Sequence, residues 1–179
     1  GFPPMPRPAV IIRGFGFLLI GPHLPWNDQA KQAMDLAWDN QYWSFWVTNN
    51  GGGIFKDIWT ANTYATSGLY VSNTSTPSKI YAMSLEHHVR NEARFEKVSN
   101  WDIYCFQLEE EGVEGKECQM VELSNCSDMT FNNLWIYRVI RVTTPKSYGV
   151  KVSNCENIVV RNLHNYTQKL WVTEFTFWD

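Results

Sequence analysis

Short runs of alternating apolar and polar residues, separated by Asn- and Ser-rich corners, recur along most of this chain. Met129-Thr130-Phe131 and Ile158-Val159-Val160 are typical runs, and their period of two predicts strands. The corners share a tripeptide, Val-Ser-Asn at 71–73, 98–100 and 152–154, with Leu-Ser-Asn at 123–125. Starting at 71, 98, 123 and 152, these lie 27, 25 and 29 residues apart. The match is longest where Leu123-Ser-Asn-Cys-Ser-Asp-Met-Thr-Phe-Asn-Asn-Leu134 overlies Val152-Ser-Asn-Cys-Glu-Asn-Ile-Val-Val-Arg-Asn-Leu163.

One coil of this length cannot bury its inward face alone. Stacking in parallel at roughly 4.8 Å buries a continuous core and pairs the backbone groups. The predicted fold is therefore all-β, a right-handed parallel β-helix running from about Ile54 to the C-terminus. The Leu-x-x-Leu-x-Leu frame of a leucine-rich horseshoe is missing, and units rich in Thr, Asn and Val do not sustain the helices of ankyrin or tetratricopeptide repeats. Stacking puts equivalent side chains into ladders. Asn73, Asn100, Asn125 and Asn154 are expected to form one, and Cys126 and Cys155 a stacked pair of thiols at a spacing that permits a disulfide.

Residues 1–52 lack the repeat and read as an N-terminal segment packed on or capping the solenoid of residues 53–179. Phe2 to Pro8 is a Pro-rich arm, and Ala9 to Ile20 supplies one or two strands. Asn27 caps a short expected helix from Asp28 to about Trp38, with Ala30, Ala33, Met34, Ala37 and Trp38 on one face. The run Glu109-Glu-Glu-Gly-Val-Glu-Gly-Lys-Glu117 reads as an acidic loop projecting from a coil. Solenoids need end caps, so further domains or further copies of the chain are expected partners.

Composition narrows the chemistry. The 179 residues carry a net charge of −3, which offers no basic stripe for nucleic acid. The most apolar stretch, Ala9 to Ile20, is too short and too interrupted to cross a bilayer, so no membrane partner is expected. The four cysteines form no CxxC pair, and no zinc-ligand spacing is present. Aromatic residues make up 15% of the chain, including nine Trp. They fill the core or serve as stacking platforms for sugar rings, whose C–H faces match a flat apolar surface. Trp59 and Trp101 are the candidates for the second role.

Reactive side chains concentrate in Ser84-Leu-Glu-His-His-Val-Arg-Asn-Glu92 and Gln107-Leu-Glu-Glu-Glu111. Counting back from each repeat Ser places Glu86, Glu111 and Ile140 at one level, with Arg141 beside it. Glu86 and one of Glu109, Glu110 or Glu111 are thus expected on neighbouring coils, with Arg138 or Arg141 on the next. Stacked carboxylates about 5 Å apart approach the spacing of a retaining glycosidase pair, while a two-coil separation would suit an inverting one; such closeness raises one pKa toward that of a general acid. His87 or His88 is a candidate base or substrate contact, and Arg141 a clamp for a uronate carboxylate. A divalent cation such as calcium, held by His87, His88 and nearby Glu, is a weaker alternative without a calcium-loop motif; no other cofactor is implied. Solvation of an acidic loop is the competing explanation for the whole cluster. His23 and His164 read as isolated packing or surface residues. Asn73, Asn125 and Asn165 stand in glycosylation sequons, two of them explained better by the ladder.

Together with Val98-Ser-Asn-Trp-Asp-Ile-Tyr104 and the Asn-rich coils, these two segments resemble secreted bacterial proteins of the pectate-lyase-like superfamily, often described as family-28-related glycoside hydrolases. The resemblance spans roughly Pro22 to Gln168. It implies a secreted or periplasmic protein active on a plant or algal polysaccharide, by hydrolysis in preference to lyase chemistry, or a non-catalytic carbohydrate-binding or adhesion module. The Asn-Thr-Asp, Asp-Asp and Gly-His-Gly pattern of polygalacturonases is absent, so no catalytic residue transfers from them.

Overall fold

The computed structural model describes residues 10–18, 43–61, 65–110, 118–139 and 148–167. Within them the chain is a parallel β-solenoid of about four turns. Its strands are β1 (Val10–Leu18), β2 (Trp43–Val47), β3 (Gly53–Ala61), β4 (Ser67–Thr74), β5 (Ser78–Glu86), β6 (Asn91–Glu110), β7 (Gln119–Ser124), β8 (Ser127–Arg138), β9 (Val150–Ser153) and β10 (Glu156–Thr167). All pair in parallel with the strand one coil away. A long face stacks β1, β3, β5, the second half of β6, β8 and β10. A short face stacks β2, β4, the first half of β6, β7 and β9. β1 and β2 thus extend both ladders into the first 52 residues, where the sequence shows no repeat. The expected helix from Asp28 to Trp38 lies outside the described residues.

Alternation along each strand builds the core. On the long face Phe55, Ile80, Ile103, Phe131 and Val160 form one inward row, and Ile58, Met83, Phe106, Leu134 and Leu163 another. Val47, Val71, Phe95, Leu123 and Val152 face them from the short face. Burying such rows at about 25 cal/mol per Å² of apolar area is what holds one coil on the next.

Corners are set by residues in the left-handed region. Asp57, Ala82, Cys105, Asn133 and Asn162, all with φ between 54° and 58°, form one ladder that bends the long face in its middle. Asn and Asp tolerate this conformation better than other residues with a Cβ, which explains the Asn-rich corners. The Asn73 ladder differs from the expected one. Its members are Asn73, Lys97, Asn125 and Asn154, whereas Asn100 stacks with Asp128 and Asn157 at the following corner. Phe95, not Val98, occupies the position of Val71, Leu123 and Val152. The Val98-Ser-Asn100 tripeptide is therefore three residues out of phase, because inward apolar packing and not tripeptide identity fixes the register.

Candidate functional site

The second half of the long face, beyond its bend, presents two outward rows. One is Trp59, Ser84, Gln107, Trp135 and His164; the other, two residues along each strand, is Ala61, Glu86, Glu109, Tyr137 and Tyr166. In the inner coils the outward residues alternate with buried ones, such as Leu85 between Ser84 and Glu86 or Leu108 between Gln107 and Glu109. The strand period thus aims both rows outward, except that Ala61 at the head of the second row is buried.

Glu86 and Glu109 are direct neighbours on adjacent coils. Strand spacing sets their backbones roughly 4.8 Å apart. Glu86 Oε1 accepts hydrogen bonds from Ser84 Oγ at 2.8 Å and from Gln107 Nε2 at 3.4 Å, which fixes that carboxylate. Glu109 Oε1 lies 3.9 Å from His87 Nε2, and the His87 N–H donates to the Glu109 carbonyl at 3.1 Å. Beyond Glu109 stands Tyr137, whose phenol pKa is raised by partial burial and by the negative charge of Glu109.

Two tryptophans bound this pair along the solenoid axis. Trp59 is 45% exposed and Trp135 38% exposed. The register puts three strand spacings, roughly 14 Å, between them, with only Ser84 and Gln107 in that row between. Trp135 is backed by His164, their ring centroids 4.1 Å apart and 19° from parallel. That near-parallel stack turns the plane of the indole across the axis, with its other face toward Gln107. Tyr137 and Tyr166 meet edge to face at 6.1 Å and continue the wall. Among the described residues no ring packs on Trp59. The result is an outward strip, an open bay with Trp59 and Trp135 at its two ends and Glu86 and Glu109 along one side.

Several residues singled out in the sequence lie elsewhere. Trp101 is 1% exposed, stacked on Phe55 at 5.6 Å inside the core, and so presents no face to a substrate. Glu110 is fully buried and accepts a hydrogen bond from Arg138 Nε at 3.0 Å, while Arg138 Nη2 donates to the Tyr148 carbonyl at 2.6 Å. This buried ion pair ties β6 to β8 and to the return toward β9, a structural role that occupies both charges. Glu109 and Glu110 end a strand; they do not belong to a projecting loop. Glu111 and Arg141 lie outside the described residues, as does the rest of the acidic run.

His88 also turns inward. Its Nδ1 is hydrogen-bonded to Glu92 Oε2, its Nε2 lies 3.2 Å from Thr60 Oγ1, and its N–H donates to Glu92 Oε1 at 3.0 Å. The order carboxylate, imidazole, hydroxyl is that of a nucleophile triad. All three residues are fully buried, so no substrate reaches Thr60 in this arrangement. Burial pushes the imidazole pKa down to about 3, with His87 beside it adding to the shift. Among the described residues, no three His, Cys, Asp or Glu side chains converge to hold a metal ion.

Ser84, Gln107, Trp135, Tyr137, His164 and Tyr166 were not legible as site residues from the sequence. The signal that finds them is the strand register, which the out-of-phase tripeptide at 98–100 obscures: counting back from Ser99 and Ser124 pairs Glu86 with Glu111 instead of Glu109. Scans against protein-family models, curated proteins and solved structures return no match for this chain.

Proposed function

We propose that the bay binds a polysaccharide chain and that Glu86 and Glu109 hydrolyse it. The observation that carries this reading is the stacking of the two carboxylates on adjacent coils between two exposed tryptophans. Retaining glycosidases hold their carboxyl groups about 5–5.5 Å apart, close to one coil spacing. Indole faces suit pyranose C–H faces, and Ser84 and Gln107 leave room between them. Tyr137 donates to a sugar hydroxyl beside Glu109. Glu109, next to the Tyr137 phenol and the His87 imidazole, acts as general acid and then base, and Glu86, held by Ser84 and Gln107, as nucleophile. A plant or algal polymer outside the cell is the substrate class, which makes secretion part of the proposal, and the pectate-lyase-like resemblance agrees with it.

Release of reducing ends from a panel of polysaccharides tests the activity. Glu86→Gln and Glu109→Gln are each expected to lower the rate at least about 100-fold while leaving binding in place. Trp59→Ala and Trp135→Ala are expected to weaken binding about tenfold each. Absorbance of unsaturated uronates in place of new reducing ends without them would assign a lyase instead. A second reading, a non-catalytic carbohydrate-binding module, is favoured by the two hydrogen bonds that already occupy Glu86 Oε1. Binding that depends on both tryptophans, with no products from any polymer, is the result that selects it.

A further inference from the structure

At the corner between the short and long faces, a surface groove of about 360 Å³ is lined by Asn125, Cys126, Ser127, Asn154, Cys155 and Glu156. Ser124 pairs with Ser153 and Ser127 with Glu156, so the register brackets Cys126 and Cys155 at one level of successive coils. The contact is direct: the Cys126 N–H donates to Cys155 Sγ at 3.2 Å. Both thiols are free, Cys126 buried and Cys155 half-buried in the groove.

We propose that Cys126 and Cys155 are a disulfide-forming pair that locks the coil of β9 and β10 onto the one before it. Stacked coils hold equivalent Cα atoms roughly 4.8 Å apart, inside the 4.4–6.8 Å range of disulfides. To join, Cys126 Sγ leaves the Phe95 and Ser124 carbonyls, which it meets at 3.4 and 3.3 Å, and Cys155 Sγ leaves the Ser153 carbonyl at 3.2 Å. The oxidant is a small-molecule disulfide such as oxidised glutathione. The Cys155 thiolate, reached through the groove, attacks one sulfur of that disulfide and expels the other as a thiolate, leaving a mixed disulfide. The Cys126 thiolate then attacks Cys155 Sγ and expels the second small thiol. Two protein thiols and one disulfide thus become one protein disulfide and two small thiols. Burial lifts the Cys126 thiol to about 12, so the thiolate that closes the ring becomes more abundant as pH rises from 7 to 9.

The coil so tied is β9 and β10, whose inward residues Val152, Ile158, Val160 and Leu163 are only partly buried, unlike their equivalents one coil earlier.

The test uses the whole chain with Cys105→Ser, which removes the exposed thiol. After incubation with oxidised glutathione and alkylation, peptide mapping is expected to find Cys126 joined to Cys155 with loss of two hydrogens, reversibly by dithiothreitol. The thermal midpoint is expected to rise on the order of 5–10 °C. Cys155→Ser is expected to abolish both changes. A glutathione adduct that persists on Cys155, a link involving Cys118, or a link without a rise in midpoint would each overturn the proposal. Polysaccharide binding and hydrolysis play no part in this readout, so it stands or falls separately from the bay.

Discussion

His88 owes its place to Gly68. A Cβ at residue 68 would lie 2.6 Å from His88 Cε1 and 2.8 Å from the Glu92 carbonyl, so only glycine admits the buried ring. Gly68→Ala is expected to cost about 1–3 kcal/mol, read from denaturant midpoints, because the imidazole cannot retreat without losing Thr60 and Glu92. The same ring gives the protein an acid sensitivity. Its folded-state pKa lies below the unfolded value, so between about 3 and 6.5 the unfolded chain binds the extra proton. The stability tied to neutral His88 is whole above 6.5 and is lost as pH falls toward 3. Glu92 faces the ring at Nδ1 and His87 adjoins it, so the response belongs to this cluster. Thermal midpoints measured from pH 7 to pH 4 are expected to fall in the wild type and to fall less steeply in His88→Gln, which is less stable at pH 7. Equal slopes would remove His88 from the explanation.

The corner ladders are the element on which the strands depend. At Asn133 and Asn162 the side chains also join across coils, the Asn162 amide donating to Asn133 Oδ1, while Asn133 Nδ2 points at Cys105 Sγ, 3.8 Å away. Asn157 Nδ2 donates to Asp128 Oδ1 at 3.0 Å at the neighbouring corner. A β-branched residue at φ 58° meets its own backbone. Asn133→Val is expected to destabilise by about 2 kcal/mol in urea titrations, and Asn133→Gly by less, since glycine keeps the left-handed turn and loses only the side-chain bonds. Asn-rich corners are visible in the sequence for this reason. Ala82 and Cys105 hold equivalent positions without such a signature, because their neighbours in the ladder impose the bend on them.

Across the described coils, burial varies along the solenoid axis. Among the described residues strands pair with those one coil away, so the same side-chain truncation is not equivalent in every coil. Leu108, fully buried between two coils, is expected to cost about 2–5 kcal/mol as Leu108→Ala. Leu163→Ala, the same deletion in the partly buried row of β10, is expected to cost less than half as much, both measured by chemical denaturation. The bay spans β3 to β10 across several coils, so no single coil carries it.

The sequence alone determined the parallel β-helix, because period-two apolar runs at near-constant intervals have one way to bury their faces and pair their backbones. It also determined that Cys126 and Cys155 stack, because the two coils that contain them match residue for residue. It picked out Glu86 and Glu109 among the reactive residues, but also Glu110, Arg138, His88 and Trp101, which the fold turns inward. Only the tertiary structure decided which of them face outward. A strand residue faces in or out according to the parity of its register, and a shift of one position reverses every side chain. The inward packing of Phe95 in place of Val98 set that register, paired Glu86 with Glu109, and opened the bay between Trp59 and Trp135.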